Sequence, residues 1–352
     1  MTIIPMILLT LMQASTLPDS LRDASFSPRI KVVKLDPVSF SASTPLAGNA
    51  ELARRALTPL QAAQLPALLA ARGARMADQP IDPAQEQFGE HLPPAPPASG
   101  RYGLFVFVPP WQTSAIPADW IPALDAAGMI IVTGARQGNP ESPLGRREPM
   151  AILAAWNMMQ RYPVDPARVF IAGFSGGSKV ALKLALAYPD LLHGALLDAG
   201  AYPIGDAALP IPPADLFDRF RQSSRIVLIA GDHDTAREEQ AAGSASLRSW
   251  CVANVTQHLV MGLGHEPVNR TDFTRALAAL AAPPHSPSTS QESCWRRRLA
   301  ERDAALAEVE KSSASGNVEA TRRKLIALDR RYGGLAAPDS AAIAKSLPAT
   351  PF

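Results

Sequence analysis

The chain of 352 residues is short of cysteine, of net charge and of aromatic residues. Its two cysteines, Cys251 and Cys294, have no metal-ligand partner at zinc spacing, so a metal site is not indicated. In an oxidising compartment they can form one disulfide, worth about 3–4 kcal/mol in the chain-entropy account. In a reducing one they are two unrelated thiols. The formal net charge is only +2, so no global field recruits nucleic acid or an anionic membrane. The apolar run Ile3 to Met12 (IIPMILLTLM) is too short to span a bilayer, and no stable membrane insertion is expected. Its length, and the small residues Ala14 and Ser15 after it, fit a signal peptide over residues 1–15 and a secreted or periplasmic protein. The alternative is a cytosolic chain with an apolar N-terminus.

What the chain does have is apolar mass and proline. Hydrophobic residues make up 47% and charged residues 19%, enough to bury a sizeable core. The 34 prolines fall mostly outside segments that read as helix or strand, which points to long structured loops.

Residues 16–100 read as an N-terminal extension. Ile30 to Phe40 has a strand-like start, Ala50 to Arg75 reads as one or two helices broken by Pro59 and Pro66, and Pro80 to Gly100 reads as a proline-rich linker. From Arg101 a pattern repeats. Apolar strands at Tyr102–Val108, Gly128–Thr133, Arg168–Ala172, Gly194–Asp198, Arg225–Ala230 and Gln257–Met261 alternate with amphipathic helices. Such alternation predicts an α/β fold, a mostly parallel, doubly wound sheet covered on both faces, over residues 101–284. Within it, Ala201 to Phe220 reads as a proline-rich insertion able to form a lid. The tail, residues 285–352, contains two charged amphipathic helices, Trp295–Lys311 and Val318–Arg331, read as a helical hairpin packed on the rest.

One motif carries chemistry. Gly173-Phe174-Ser175-Gly176-Gly177 fits G-x-S-x-G, follows the strand RVFIA and opens the helix SKVALKLALAY. That context makes it a nucleophile elbow: a serine on a sharp turn, with glycines where side chains would clash, and free N–H groups at the helix start. A serine hydroxyl needs a base. Of six histidines, His265 lies just past the last strand in the flexible Gly262-Leu263-Gly264-His265 segment, where it can reach the elbow. The orienting acid should follow the preceding strand, in Gly231-Asp232-His233-Asp234. Asp234 is favoured there, Asp232 is the competitor that could instead cap the next helix, and Asp198 is a third candidate. The oxyanion hole needs two N–H donors. One is the backbone of Gly176. The other must come from Pro109-Pro110-Trp111-Gln112, where the prolines cannot donate, so Trp111 or Gln112 supplies it. Trp111 and Gln112 are also expected to bind substrate.

Residues 101–283 resemble the α/β-hydrolase superfamily. Within it they are similar to the polyhydroxybutyrate-depolymerase and feruloyl-esterase-like group of secreted bacterial esterases. The residues that carry this are Val164-Asp165-Pro166-Ala167-Arg168-Val169, the elbow GFSGGS, Tyr188-Pro189-Asp190, GDHDTAR and GLGH. The resemblance implies a serine hydrolase that cleaves carboxylic esters, small or polymeric, through an acyl-enzyme on Ser175, with no cofactor. A serine peptidase of the same fold and a non-catalytic hydrolase-like binding protein are the competing readings.

Overall fold

In the computed structural model the described residues are 30–76 and 80–347. The expected signal peptide over residues 1–15 lies outside them. Eight strands form the main sheet: β1 (Asp36–Val38), β2 (Phe88–His91), β3 (Tyr102–Val108), β4 (Met129–Gly134), β5 (Val164–Phe174), β6 (Gly194–Asp198), β7 (Arg225–Gly231) and β8 (Asn254–Val260). Their spatial order is β1-β2-β4-β3-β5-β6-β7-β8. From β4 to β8 every pairing is parallel, whereas β2 runs antiparallel to both β1 and β4. This order and these directions make the fold that of the α/β-hydrolases. A separate ribbon pairs Val32–Lys34 antiparallel with Ala115–Pro117.

The parallel strands are apolar throughout because both faces are covered. Side chains alternate between two cores with the period of an extended chain. Leu104, Val106 and Val108 of β3 enter one core, as do Val169 and Ile171 of β5 and Ile226 and Leu228 of β7. Phe105 and Phe107, Phe170 and Ala172, and Val227 and Ile229 enter the other. The second face is closed by α3 (Ile121–Ala127) and α8 (Arg270–Ala281), where Phe273 stacks on Trp120 with centroids 4.2 Å apart. The first face is closed by α1 (Asn49–Ala56), α2 (Pro59–Ala70), α4 (Glu148–Arg161), α5 (Gly176–Ala187), α6 (Ala214–Ser223) and α7 (Arg237–Ser249).

Three expectations need correction. Residues 80–100 are not only a linker, because Phe88–His91 is β2 and pairs with β4, with Phe88 buried against Phe40. Four residues between prolines are too few to show a period. Pro66 lies inside α2 without ending it, whereas Pro59 sits in the first turn, where its missing N–H costs nothing. Residues 201–220 are not free to act as a lid throughout. Their C-terminal part is α6, whose Phe217 and Phe220 are fully buried.

The tail forms α9 (Thr289–Ala314) and α10 (Val318–Tyr332), a hairpin followed by α11 (Asp339–Ser346). Cys251 and Cys294 are bonded, tying α9 to the end of α7. Phe217 of α6 packs against both Trp250 and Trp295. The N-terminal helices join the same body. Arg55 reaches Asp190 at 2.7 Å, and Asp329 of α10 accepts the Leu60 N–H at 3.0 Å. Burial raises the Asp329 carboxyl to about 6.

One ion pair lies deep between α4 and α5. Lys183 Nζ is 2.9 Å from Glu148 Oε1, and both side chains are buried. Breaking such a pair strands a charge, whereas replacing both partners removes the problem. Glu148→Leu should therefore lower unfolding free energy by about 3–5 kcal/mol in denaturant titration. Adding Lys183→Met should recover most of that loss, and a double variant as unstable as the single one would show that the pair carries no coupling.

Candidate active site

Ser175 follows β5 at its C-terminal end and precedes α5, with φ 53° and ψ −121°. A non-glycine residue at that φ is strained by roughly 1–3 kcal/mol. The strain is held by close approach. A Cβ on Gly173 would overlap the backbone of Gly177, and one on Gly177 would overlap the carbonyl oxygen of Val108 in β3. The bend exists because the sequence removes side chains at both points. The Ser175 N–H donates to the carbonyl of Asp198 at 2.8 Å, which fixes the turn to the end of β6.

His265 and Asp234 come from the ends of β8 and β7. The Nε2 of His265 is 2.9 Å from Ser175 Oγ, and Nδ1 is 2.9 Å from Asp234 Oδ1. With the proton on Nδ1 donated to the carboxylate, Nε2 is left to accept from the serine hydroxyl. The Asp234 side chain is fully buried, while that of His265 is 41% exposed, so the relay has a dry end and an open end. Asp234 Oδ1 also accepts the N–H of Ala236 at 2.7 Å. The imidazole lies beside Phe174, with centroids 5.2 Å apart, which limits its swing.

The rival aspartates do other things. Asp232 does not cap α7; its Oδ1 accepts the N–H of Gly262 at 2.6 Å, at the start of the histidine segment. Asp198 does not partner the ring. Its Oδ2 accepts the N–H of Val268 at 3.0 Å, at the far end of that segment. The turn after β7 is further stitched to the segment after β8 by His233 N–H to the Leu263 carbonyl, 3.1 Å.

On the oxyanion side, Gly176 opens α5 with its N–H in the unpaired first turn. Trp111 departs from expectation. Its indole N–H donates to the Ala115 carbonyl at 2.9 Å, and its ring is buried against Phe107 and Phe174. A ring committed to the core does not line a substrate pocket, so what Trp111 can offer is its backbone. Gln112 is held sideways, its amide donating to Glu141 at 3.1 Å. It borders a polar cleft of about 280 Å³ shared with Lys34, Gln85, Thr113, Ser114 and Arg136.

Two residues beside the site escaped sequence reasoning. Arg147 is buried at the start of α4, and its guanidinium donates to the carbonyls of Gln137 at 2.7 Å and Pro109 at 3.1 Å. It pins the loop that carries Trp111. Burial pulls its pKa down to about 10. In the sequence it sits in the charged run Arg146-Arg147-Glu148, which reads as a solvated turn and gave no signal. Asn139 sits in the loop after β4, and its carboxamide lies against Gly176, so closely that a Cβ there would overlap Oδ1. An Asn-Pro pair in a loop reads as an ordinary turn and gave no signal. Among the described residues, no group of three or more His, Cys, Asp or Glu is placed to hold a metal, and no helix is long and apolar enough to cross a membrane.

No protein family profile and no curated protein sequence matches the chain. Solved structures do. An S-formylglutathione hydrolase from Staphylococcus aureus is similar at 11% identity and TM-score 0.43, over 56% of this chain and 90% of the other. A ferulic acid esterase is similar at 16% identity and TM-score 0.42, over 55% and 89%. A puromycin-hydrolysing peptidase from Mycobacterium tuberculosis is similar at 15% identity and TM-score 0.39, over 57% and 38%. The α/β-hydrolase fold of this chain rests on its own strand order, strand directions and elbow turn.

Proposed function

We propose that the protein is a serine hydrolase that cleaves carboxylic esters through an acyl-enzyme on Ser175. The observation that carries this is the unbroken relay from Ser175 Oγ to His265 Nε2 and from His265 Nδ1 to Asp234, at 2.9 Å each. Ser175 Oγ attacks the ester carbonyl as His265 takes its proton. Charge gathers on the carbonyl oxygen, where the Gly176 N–H and a backbone N–H from Trp111 or Gln112 donate. Collapse expels the alcohol, which takes the proton back from His265. Water then repeats the sequence, activated by the same imidazole, and releases the acid. Asp234 holds the ring in the productive tautomer and stabilises the imidazolium without itself taking the proton.

A peptidase would use the same relay, and matched ester and anilide substrates with one acyl group separate the two readings. We further propose that the protein works in a secreted or periplasmic location. The Cys251–Cys294 bond supports an oxidising compartment. Fractionation should find the folded chain outside the cytoplasm, and recovery only from the cytoplasm would contradict this.

Ser175→Ala should lower turnover of p-nitrophenyl acetate by at least about 10⁴-fold with the melting temperature near wild type. Retained turnover would exclude this site. Asp234→Asn should cost about 10⁴-fold in kcat. Asp232→Asn should cost far less, because an asparagine can still accept the Gly262 N–H. The reverse order would assign the acid to Asp232.

A further inference from the structure

Asp198 ends β6 between the strands that deliver the nucleophile and the acid, yet the proposed relay does not use it. It is fully buried. Its main-chain carbonyl accepts two donors from the elbow, the Ser175 N–H at 2.8 Å and the Ser178 hydroxyl at 2.6 Å. Its side-chain Oδ2 accepts the Val268 N–H at 3.0 Å, three residues past His265. Val268 is held at its other end too, where its carbonyl accepts the Trp120 indole N–H at 3.0 Å. Asp198 Oδ1 has no hydrogen-bond partner among the described residues.

We infer that Asp198 is a positioning residue that fixes the nucleophile turn and the histidine segment to one point. The inference rests on the proposed relay of Ser175, His265 and Asp234. Both arms of the relay answer to this residue, one through its backbone and one through its carboxyl. A displacement of β6 therefore moves both together and preserves the distance from Oγ to Nε2. A shift of 1 Å in such a distance costs about 10²-fold in rate.

Burial favours the neutral form of this carboxyl. Burial drives its pKa well above the ordinary carboxylate value; the Val268 N–H opposes this, and the nearby Asp234 carboxylate adds to it. Asp234 is the charged group that faces it, and His265 is the titratable group beyond Asp234. A neutral Asp198 still offers an oxygen to Val268. It also leaves Asp234 as the one negative charge presented to the imidazole, so the two carboxyls divide the work.

Protonation has a consequence for stability. A carboxyl with a raised folded-state pKa keeps its proton on folding. Below about pH 4, both folded and unfolded chains hold that proton and nothing is lost. As pH rises toward the folded-state value the unfolded chain gains by ionising, and the native protein loses stability relative to any variant that cannot ionise.

The test compares Asp198→Asn, which keeps an acceptor and cannot ionise, with Asp198→Ala. Asp198→Asn should retain kcat within about threefold and leave the acid limb of kcat/KM against pH unmoved. Asp198→Ala should lose about 10²-fold in kcat with KM little changed. The Val268 N–H should stay protected from hydrogen exchange in Asp198→Asn and lose protection in Asp198→Ala. As pH rises above about 4, the melting temperature of Asp198→Asn should rise relative to wild type. An Asp198→Asn variant as slow as Asp198→Ala, a shifted acid limb, or a melting-temperature difference that does not change with pH would overturn the inference. Should wild type itself fail to turn over esters, the relay fails. Val268 exchange and the pH slope would still decide whether Asp198 anchors the segment as a neutral group.

Discussion

The candidate site depends on how the chain from Met261 to Val268 is held across the end of the sheet. That segment has no regular structure of its own, and it carries the imidazole. Three aspartates from two other strands give it its path. Asp232 takes the Gly262 N–H at the start, Asp234 takes the ring of His265 in the middle, and Asp198 takes the Val268 N–H at the end. An unanchored loop would sample many positions for the ring, and the serine would rarely meet a base. Here each anchor is an N–H donated to a carboxyl oxygen. The sheet behind is packed on both faces, so the anchors do not drift.

The same region carries part of what is costly in the fold. Ser175 and Ala199 both have positive φ, at 53° and 58°, and they flank the buried Asp198 in space or sequence. Backbone strain and a buried carboxyl each cost stability and are kept where geometry matters more. Costs of the same kind occur elsewhere too, in the positive φ of Arg136 and Cys251 and in the buried Glu148–Lys183 pair.

Much of this was legible in the sequence. The core strands are continuous apolar runs bounded by Gly, Pro or Asp, and the elbow combines a strand, three glycines and a helix in one stretch of chain. Local signals suffice for both. The pairing of His265 with Ser175 also follows, because chain order limits which histidine can reach. What escaped depends on partners distant in sequence. Phe88–His91 is a strand only because β4 lies beside it. Pro66 stays helical because the flanking turns of α2 are packed on the body of the protein. Trp111 looked like a pocket residue because it follows a strand in the oxyanion loop. Whether its ring turns inward depends on Phe107 and Phe174, which no local pattern announces. Asn139 meets Gly176 across a gap of 37 positions, and Asp198 meets Val268 across 70. Nothing near Asn139 marks it, and Asp198, legible as a candidate acid at a strand end, gave no sign of its distant partner.

The central claim is that Ser175 is a nucleophile made reactive by His265. The most direct measurement is the site and rate of covalent capture by a fluorophosphonate, read by peptide mass spectrometry on the folded protein. The account requires one adduct, on the peptide bearing Ser175, with His265→Ala reacting slower by orders of magnitude. A folded wild type that stays unmodified, or an adduct carried by a different residue, would contradict it.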